Sequence, residues 1–381
     1  MKNKKYALFF LLIVTSCLLF YDYSNDPTGG FKIIKTQVNF NRYFLRKFKI
    51  NNSISSSSNK GLLDLDNFYY IISNNPCKEL YISKYNITTV QIVTSYAGNV
   101  EARSALRRAY PKYELEKLGI VRLFLLAMCK PNGKDRITQH ALYHENSRYG
   151  DLIQGNFYED YRNLTYKHIM GLKWVVTKCY NLKHIIKMDD DILVDLYDLT
   201  ALIKKKNINN REMAGYLERN MRPIRIKANK WYVTNNEYNG NEYPPFLSGW
   251  MYVMNIPLAM ELVNNAYKVP YFWIDDVFVT GILANQLNVS YIDLSEHFSL
   301  HSEVVECCIR LRTKCGFFVA PSSGDYSLQV KFHDHCYTCR TFMNACRILP
   351  KGKTVEKICV AKRRTPALGK GLSEIRVVQL T

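Results

Sequence analysis

Short apolar runs alternate with longer stretches of helical periodicity through the middle of the chain. Val90–Ser95 (VQIVTS) and Val121–Ala127 (VRLFLLA) have the length and composition of buried strands. NVEARSALRRAY (99–110) follows the first, and DYRNLTYKHIMGLKWVVTKC (160–179) comes after the second; both are typical of helices. Strands that alternate with helices at this spacing predict an α/β domain with a largely parallel central sheet.

The segment KHIIKMDDDILVD (183–195) places three carboxylates, Asp189, Asp190 and Asp191, between two apolar runs. Acidic triplets are often solvated turns or helix starts. The apolar flanks here instead predict a buried strand that enters a tight turn. Carboxylates at a buried strand end lose hydration and repel one another, so they require a cation or hydrogen-bond donors. Ligands of such sheets bind beyond the carboxyl ends of the strands. Oxygen ligands suit Mn²⁺ or Mg²⁺ bound together with substrate phosphates, so the triplet indicates a nucleotide site.

Two further segments carry candidate chemistry. EYPPFLSGWMYVMN (242–255) is rich in turn residues and aromatics, which predicts either an aromatic-lined surface or a turn between strands with its aromatics in the core. Asp275 and Asp276 lie at the junction of an aromatic segment and an amphipathic helix. The pair could cap the helix and stabilise its dipole, or hold a poised base.

Composition excludes some classes of protein. The 381 residues are 47% hydrophobic and 13% aromatic, which is typical of a globular protein. The formal net charge of +19 is compatible with nucleic-acid binding, but the basic residues are scattered and no zinc-finger or RNA-binding signature is present. A basic pocket for an anionic substrate explains the charge equally well, and no nucleic-acid partner is expected.

The N-terminus predicts a membrane anchor. Residues 1–5 carry three lysines and precede an uncharged apolar run over residues 6–21. The positive-inside rule then places residues 1–5 in the cytosol and the rest in the lumen, with the chain bound to the membrane by this helix. A cleaved signal peptide is the alternative, although no small-residue cleavage site follows the run. Residues 22–75 are polar, with NNSISSSSNK at their centre, and predict a stem or linker.

Cysteines and sequons agree with a lumenal body. Ten cysteines remain besides Cys17, an even number that suits disulfides. Six of them crowd between residues 307 and 346 of a C-terminal region, 301–381, that we expect to be disulfide-stapled. Cys336 and Cys339 form a lone CxxC near two histidines, which leaves a zinc site as an alternative. Glycosylation sequons begin at Asn51, Asn86, Asn163 and Asn288.

The order of five motifs resembles that of the β-1,3-hexosyltransferase family, the inverting, galactosyltransferase-like glycosyltransferases of the Golgi. The motifs lie between about Val90 and Asn288: ARSALRRAY, NFYEDYRNLTYKH, KMDDDILVD, KWYVTNNEYNGNEYPPFLSGWMYVMN and IDDVFVTGILA. Any one motif is weak evidence, but five in the right order are specific. The resemblance implies a single nucleotide-sugar-binding domain of GT-A-like α/β fold over residues 76–300, behind the N-terminal anchor of a single-pass type II Golgi membrane protein.

The resemblance also implies a reaction and its residues. A hexose, with galactose the first expectation and N-acetylhexosamine the alternative, is transferred with inversion from a UDP-sugar to a hydroxyl of a glycoprotein or glycolipid glycan, giving a β-1,3 linkage. Mn²⁺ or Mg²⁺ is expected to bind Asp191 and Asp189, with a late histidine that is either His333 or His335. The nucleotide is expected to contact Asp189, Asp190, Arg103, Arg107 and Lys187. The expected base is Asp276, or else Asp275, and the acceptor is expected to contact Trp231, Tyr243, Phe246 and Trp250.

The chain departs from the family pattern at four positions. Ala109 and Tyr110 replace a Thr-Trp pair, Met251 replaces a common glycine, and Asp275 replaces a more frequent Glu. All the expected metal and base carboxylates are retained. A catalytically silent lumenal binding or scaffold protein of the same fold is the alternative function.

Overall fold

The computed structural model of the protein describes residues 61–78, 84–130, 137–350 and 352–359. The predicted cytosolic tail, the anchor, the stem as far as residue 60 and the sequon at Asn51 lie outside the described residues. Within those ranges, no helix combines the length and the apolar character that crossing a bilayer requires.

An eight-stranded sheet forms the centre of the described part of the chain, in the order β1-β4-β3-β2-β5-β8-β7-β9. The four strands β4, β3, β2 and β5 are mutually parallel, while β8 runs antiparallel to both β5 and β7. A second, two-stranded sheet pairs β6 with β10. The strands are β1 (Tyr70–Ser73), β2 (Thr89–Thr94), β3 (Ile120–Met128), β4 (Leu152–Tyr158), β5 (His184–Asp189), β6 (Ile192–Val194), β7 (Glu212–Glu218), β8 (Phe246–Asn255), β9 (Ser290–Asp293) and β10 (Val319–Pro321).

Helices connect these strands and cover both faces of the sheet. The α-helices are α1 (Val100–Ala109), α2 (Lys112–Leu118), α3 (Gln139–Tyr149), α4 (Leu164–Lys178), α5 (Leu196–Lys206), α6 (Ile256–Ala266), α7 (Ser302–Leu311), α8 (Ser327–Thr341) and α9 (Val355–Ile358). Short 3-10 turns occupy Tyr161–Asn163 and Ser295–His297. A π-helix at Val277–Leu283 continues into one α-helical turn, Ala284–Gln286.

The apolar core lies on both faces of the parallel strands. Along β3, Leu123 and Leu125 belong to one buried cluster, whereas Phe124 and Leu126 belong to another. This division follows from the two-residue period of a strand, which sends neighbouring side chains to opposite faces. A strand buried on both faces needs a continuous apolar run, which explains the composition of VRLFLLA.

The structure confirms the predicted α/β class and the mostly parallel arrangement of the central strands. It corrects two predictions, one on where the folded region begins and one on the conformation of residues 242–255. β1 lies inside the stretch assigned to the stem and pairs with β4, so the folded region begins before residue 75. The stretch 242–255 is largely strand β8 rather than a turn-rich surface, because long-range pairing with β5 and β7 overrides its local turn signals.

Disulfides staple the C-terminal region, as predicted. The bonds there are Cys307–Cys359, Cys308–Cys315 and Cys339–Cys346, and a fourth, Cys77–Cys179, ties the segment after β1 to the end of α4. Cys339 is therefore not available to a zinc site with Cys336, and that alternative is wrong. The described residues of this region, 301–350 and 352–359, belong to the same compact unit as the sheet.

Candidate active site

A cavity of about 790 Å³ opens at the carboxyl ends of β2 and β5. Thr94 and Ser95 at the end of β2 line it, as do all three residues of the triplet Asp189–Asp191. Asp275 and Asp276, 84 and more residues further along the chain, line the same cavity. The structure therefore brings the two acidic motifs together, which sequence spacing alone does not establish.

The three carboxylates of the triplet have different environments. Asp190 is buried and accepts hydrogen bonds from Ser95 Oγ over 2.7 Å and Asn99 Nδ2 over 3.3 Å. Asp191 is exposed, and the side chain of Asp189 is 34% exposed. Burial raises the pKa of Asp189 to about 7; the Lys187 ammonium opposes this shift and the Asp191 charge adds to it. A divalent cation would relieve this unfavourable concentration of charge, so the donor set fits Mn²⁺ or Mg²⁺.

Lys187 connects the triplet to the second acidic pair. Its ammonium group is buried beneath the cavity and donates to Asp189 Oδ1 over 2.7 Å and to the carbonyl oxygen of Gly249 over 2.6 Å. The same nitrogen lies 4.0 Å from Asp275 Oδ2. Lys187 therefore compensates two carboxylates at once and lies under the cavity rather than in its wall, so its expected contact with a nucleotide is indirect.

Asp275 and Asp276 differ although they are adjacent. Asp276 accepts backbone N–H groups at both oxygens, from Gly249 over 3.1 Å and from Val277 over 2.8 Å, and it caps the π-helix. Burial and the neighbouring carboxylate raise the pKa of Asp276. For Asp275, burial acts in the same direction but is outweighed by Lys187 and by a hydrogen bond from His168, so its pKa is lowered. Asp276 can therefore cap the helix and also act as a base, so the two alternatives do not exclude each other.

A buried ion pair supports the strand end at Ser95. Lys167 Nζ lies 2.6 Å from Glu159 Oε2 and donates to the Ser95 carbonyl oxygen over 2.7 Å. Glu159 Oε1 also accepts the backbone N–H groups of Ala97 and Ala127. These contacts fix the ends of β2 and β3, and the pair's role is to hold the cavity floor in place.

All four predicted acceptor aromatics line the cavity: Trp231, Tyr243, Phe246 and Trp250. Sequence reasoning missed three neighbours, Tyr161, Trp273 and Lys230, which also line it. Trp231 Nε1 donates to Tyr161 Oη over 2.7 Å, and the Lys230 ammonium lies 4.3 Å from the centroid of the Tyr161 ring. Together these residues form an aromatic wall with a basic rim, a surface suited to the CH-rich face of a sugar.

Arg103 and Arg107, expected beside the nucleotide, do not line the cavity. The completely buried Arg103 makes two 2.7 Å hydrogen bonds to Glu145 and also donates to the Tyr96 and Ala97 carbonyl oxygens. Arg107 forms ion pairs with Glu145 and Asp151. Both guanidinium groups are occupied within the fold, and Arg103 acts by holding the loop after β2.

His333 and His335 do not join the carboxylate triplet either, because neither lines the cavity. Both lie on α8. His333 Nε2 is 3.0 Å from Glu114 Oε1, and His335 Nε2 is 2.8 Å from the Thr313 carbonyl oxygen. Their expected metal role is therefore corrected to a structural one.

The sequence that forms this site matches a known family. The galactosyltransferase family model matches residues 101–295, a span that contains both acidic motifs. The chain belongs to the galactosyltransferase family. Human beta-1,3-galactosyltransferase 5 is 34% identical over 240 residues, covering 62% of this chain and 76% of the relative. Mouse beta-1,3-galactosyltransferase 2 is 32% identical over 252 residues, covering 65% and 58%. Among solved structures, the WbbM bifunctional glycosyltransferase aligns with a TM-score of 0.35 at 12% identity, covering 69% of this chain and 50% of that one.

The positions at which this galactosyltransferase-family chain departs from the expected motifs lie mostly in the core. Ala109, Tyr110 and Met251 are buried and belong to one apolar cluster. The Tyr110 hydroxyl accepts the backbone N–H of Leu196, and its ring lies 4.5 Å from that of His333. These three substitutions therefore alter packing and leave the carboxylates of the cavity in place.

Proposed function

We propose that this protein transfers galactose from UDP-galactose to a hydroxyl of an acceptor glycan, with inversion, to give a β-1,3 linkage. The observation that carries the proposal is the meeting of two acidic sets, Asp189–Asp191 and Asp275–Asp276, in one cavity through the buried Lys187. The names of the relatives favour galactose over an N-acetylhexosamine.

The triplet would serve the leaving group. Departure of UDP places negative charge on its diphosphate, and a bound Mn²⁺ or Mg²⁺ supplies the Lewis acid that neutralises this charge. Asp191 and Asp189 would hold the cation, since both line the cavity with carboxylates that are exposed or partly exposed, whereas Asp190 is buried. Asp190, fixed by Ser95 and Asn99, would keep the turn in shape and lie toward the nucleotide.

Asp276 would serve the nucleophile. Its carboxylate accepts the proton of the acceptor hydroxyl as the hydroxyl oxygen attacks the anomeric carbon of galactose. The bond between that carbon and the phosphate oxygen breaks on the opposite face, so the configuration inverts. A carboxylate with a raised pKa is a stronger base than an ordinary aspartate, which matches the environment of Asp276.

The proposed setting is the Golgi lumen, with residues 6–21 as a type II anchor and the following residues to about 60 as the stem. Secretion of residues 22–381 behind a cleavable signal should give a soluble enzyme. Retention of this form on membranes would contradict the anchor assignment.

The decisive experiment measures UDP release from this secreted form. We expect release from UDP-galactose with Mn²⁺ and a β-1,3-linked product, little release after chelation, and slower release from UDP-N-acetylglucosamine and UDP-N-acetylgalactosamine. Binding of UDP without release from any of the three donors would contradict the proposal and favour the scaffold alternative.

A further inference from the structure

His168 occupies the interior of the site, where the sequence gives no sign of it. It lies on α4 and is completely buried between β8 and the start of the π-helix. Its Nδ1 is 2.9 Å from Asp275 Oδ2, and its Nε2 is hydrogen bonded to the hydroxyl of Tyr252. Both ring nitrogens are therefore engaged.

Only one arrangement of protons satisfies the hydrogen-bonded series Tyr252–His168–Asp275. Burial raises the pKa of Tyr252 well above its usual value, so the phenol keeps its proton and donates it to Nε2. Burial lowers the pKa of His168 against the opposing effect of Asp275, so the imidazole is neutral. A neutral imidazole carries one N–H, which must then be on Nδ1 and donate to Asp275.

This arrangement gives the two neighbouring carboxylates, Asp275 and Asp276, different charge states. Asp275 receives the N–H of His168 and has the Lys187 ammonium 4.0 Å away. Asp276 accepts only backbone N–H groups among the hydrogen bonds between described residues. The negative charge is therefore held on Asp275, and Asp276 is the carboxylate that can take a proton.

We propose that His168 is a positioning residue for the transfer reaction: it locks Asp275 against Tyr252 and Lys187, so that Asp276 alone faces the acceptor hydroxyl. This inference rests on the proposed function. His168 touches neither substrate nor the reacting atoms in this role; it acts through Asp275, as supporting groups that fix a site commonly do.

Four variants of the secreted enzyme test the proposal. His168→Leu removes both hydrogen bonds, and we expect kcat to fall about 10- to 100-fold while KM for UDP-galactose stays unchanged, because misplacement of a reacting group costs up to about 10² in rate. His168→Asn should recover part of kcat, since its amide N–H can donate toward Asp275. Tyr252→Phe should give a smaller loss. His184→Asn, a half-buried histidine at the opposite end of β5, is the matched control and should match the wild type.

Two kinetic outcomes would overturn the inference. One is a wild-type kcat in His168→Leu. The other is an equal loss of kcat in the Leu and Asn variants with an equal fall in melting temperature, since that would indicate packing alone.

Nitrogen-15 NMR of labelled histidine rings gives a test that needs no turnover. The signal lost in His168→Asn should be that of a neutral ring protonated at Nδ1, and it should shift in Tyr252→Phe. An Nε2-protonated ring would overturn the inference while leaving galactosyl transfer intact. If the ring has the expected tautomer but the protein transfers no galactose, the result would support the hydrogen-bond geometry and reject the proposed function.

Discussion

The Lys187 ammonium lies 2.7 Å from the Asp189 carboxylate, only two residues away on the same strand. Residues i and i+2 share one face of a strand, so both side chains point toward the site. This contact begins a buried polar chain that continues to Asp275 and His168. The metal side and the base side of the proposed reaction are therefore parts of one electrostatic unit.

Replacing Lys187 with methionine should destabilise the protein. The substitution leaves the Gly249 carbonyl and the Asp189 carboxylate without their donor, and an unsatisfied buried group costs about 1–3 kcal/mol. The free energy of unfolding in urea should fall by about that amount. Lys230→Met, at an exposed lysine, is the control and should change it little.

Replacing Asp191 with asparagine should abolish Mn²⁺-dependent UDP release while leaving the fold intact. Asp191 is exposed at a strand end, so loss of its charge should leave the core unchanged and remove the proposed cation ligand. Titration of Mn²⁺ followed by UDP release, together with the melting temperature, checks both parts. Normal Mn²⁺ dependence in the variant would reject the assignment.

Replacing Asp276 with asparagine should reduce transfer by about 10² to 10⁴, the usual contribution of a general base. The amide keeps one of the two acceptor oxygens, so a stability loss of about 1 kcal/mol is expected as well. Binding of UDP-galactose, measured by calorimetry, should persist. Asp275→Asn should lose more stability, because two partners lose their anion. If instead its transfer rate collapses while Asp276→Asn remains active, the two roles are exchanged.

The pH dependence should report the same base. Because burial and Asp275 raise the pKa of Asp276, the carboxylate stays protonated at pH values where an ordinary aspartate, of pKa about 3.9, is already ionised. Only the ionised form accepts a proton, so kcat/KM at saturating Mn²⁺ should fall as the pH drops below this raised pKa. The acid limb should be absent from the residual activity of Asp276→Asn. An acid limb near pH 4 in the wild type would contradict the prediction.

Glycosylation should distinguish the sequons. Asn86 and Asn288 are exposed, whereas the Asn163 amide donates to the Tyr158 carbonyl oxygen and the Thr165 hydroxyl of the same sequon is buried against the Phe272 carbonyl oxygen. Expression in a eukaryotic secretory pathway should yield glycans at the first two sites and not at Asn163. Single Asn→Gln variants compared on gels with and without glycosidase measure this. A protein without any glycan would contradict the lumenal proposal.

The parallel strands could be predicted from sequence because burial on both faces demands uninterrupted apolar runs. β8 could not, since Pro244, Pro245 and Gly249 dominate its local signal and its strand geometry comes from pairing with β5. The family resemblance predicted that Arg103 and Arg107 lie beside the nucleotide. Both arginines instead lie one helical turn apart on α1 and pair with Glu145 of α3, a partner that only the tertiary structure reveals.

In the site, too, some residues could be predicted from the sequence and others could not. Carboxylates next to apolar runs carry a strong local signal, because unpaired charge is costly there, and all five proved to line one cavity. His168 sits among apolar neighbours on a helix, where a histidine is compatible with many structural roles. Its role becomes visible only from its contacts with Tyr252 and Asp275, which lie 84 and 107 residues away in the sequence.

The π-helix after Asp276 restricts how this part of the chain can vary in length. An α-helix turns about 100° per residue, and a π-helix accommodates one additional residue in a turn. Deleting one residue within Val277–Leu283 would favour ordinary α-helical winding and rotate everything on one side of the deletion by about that angle. For a deletion before Thr280, which is hydrogen bonded to Leu247 of β8, the rotation would fall on the N-terminal side, break the hydrogen bond from Gly249 to Asp276 and displace the acidic pair from the cavity. Insertions and deletions should therefore be far less tolerated here than point substitutions.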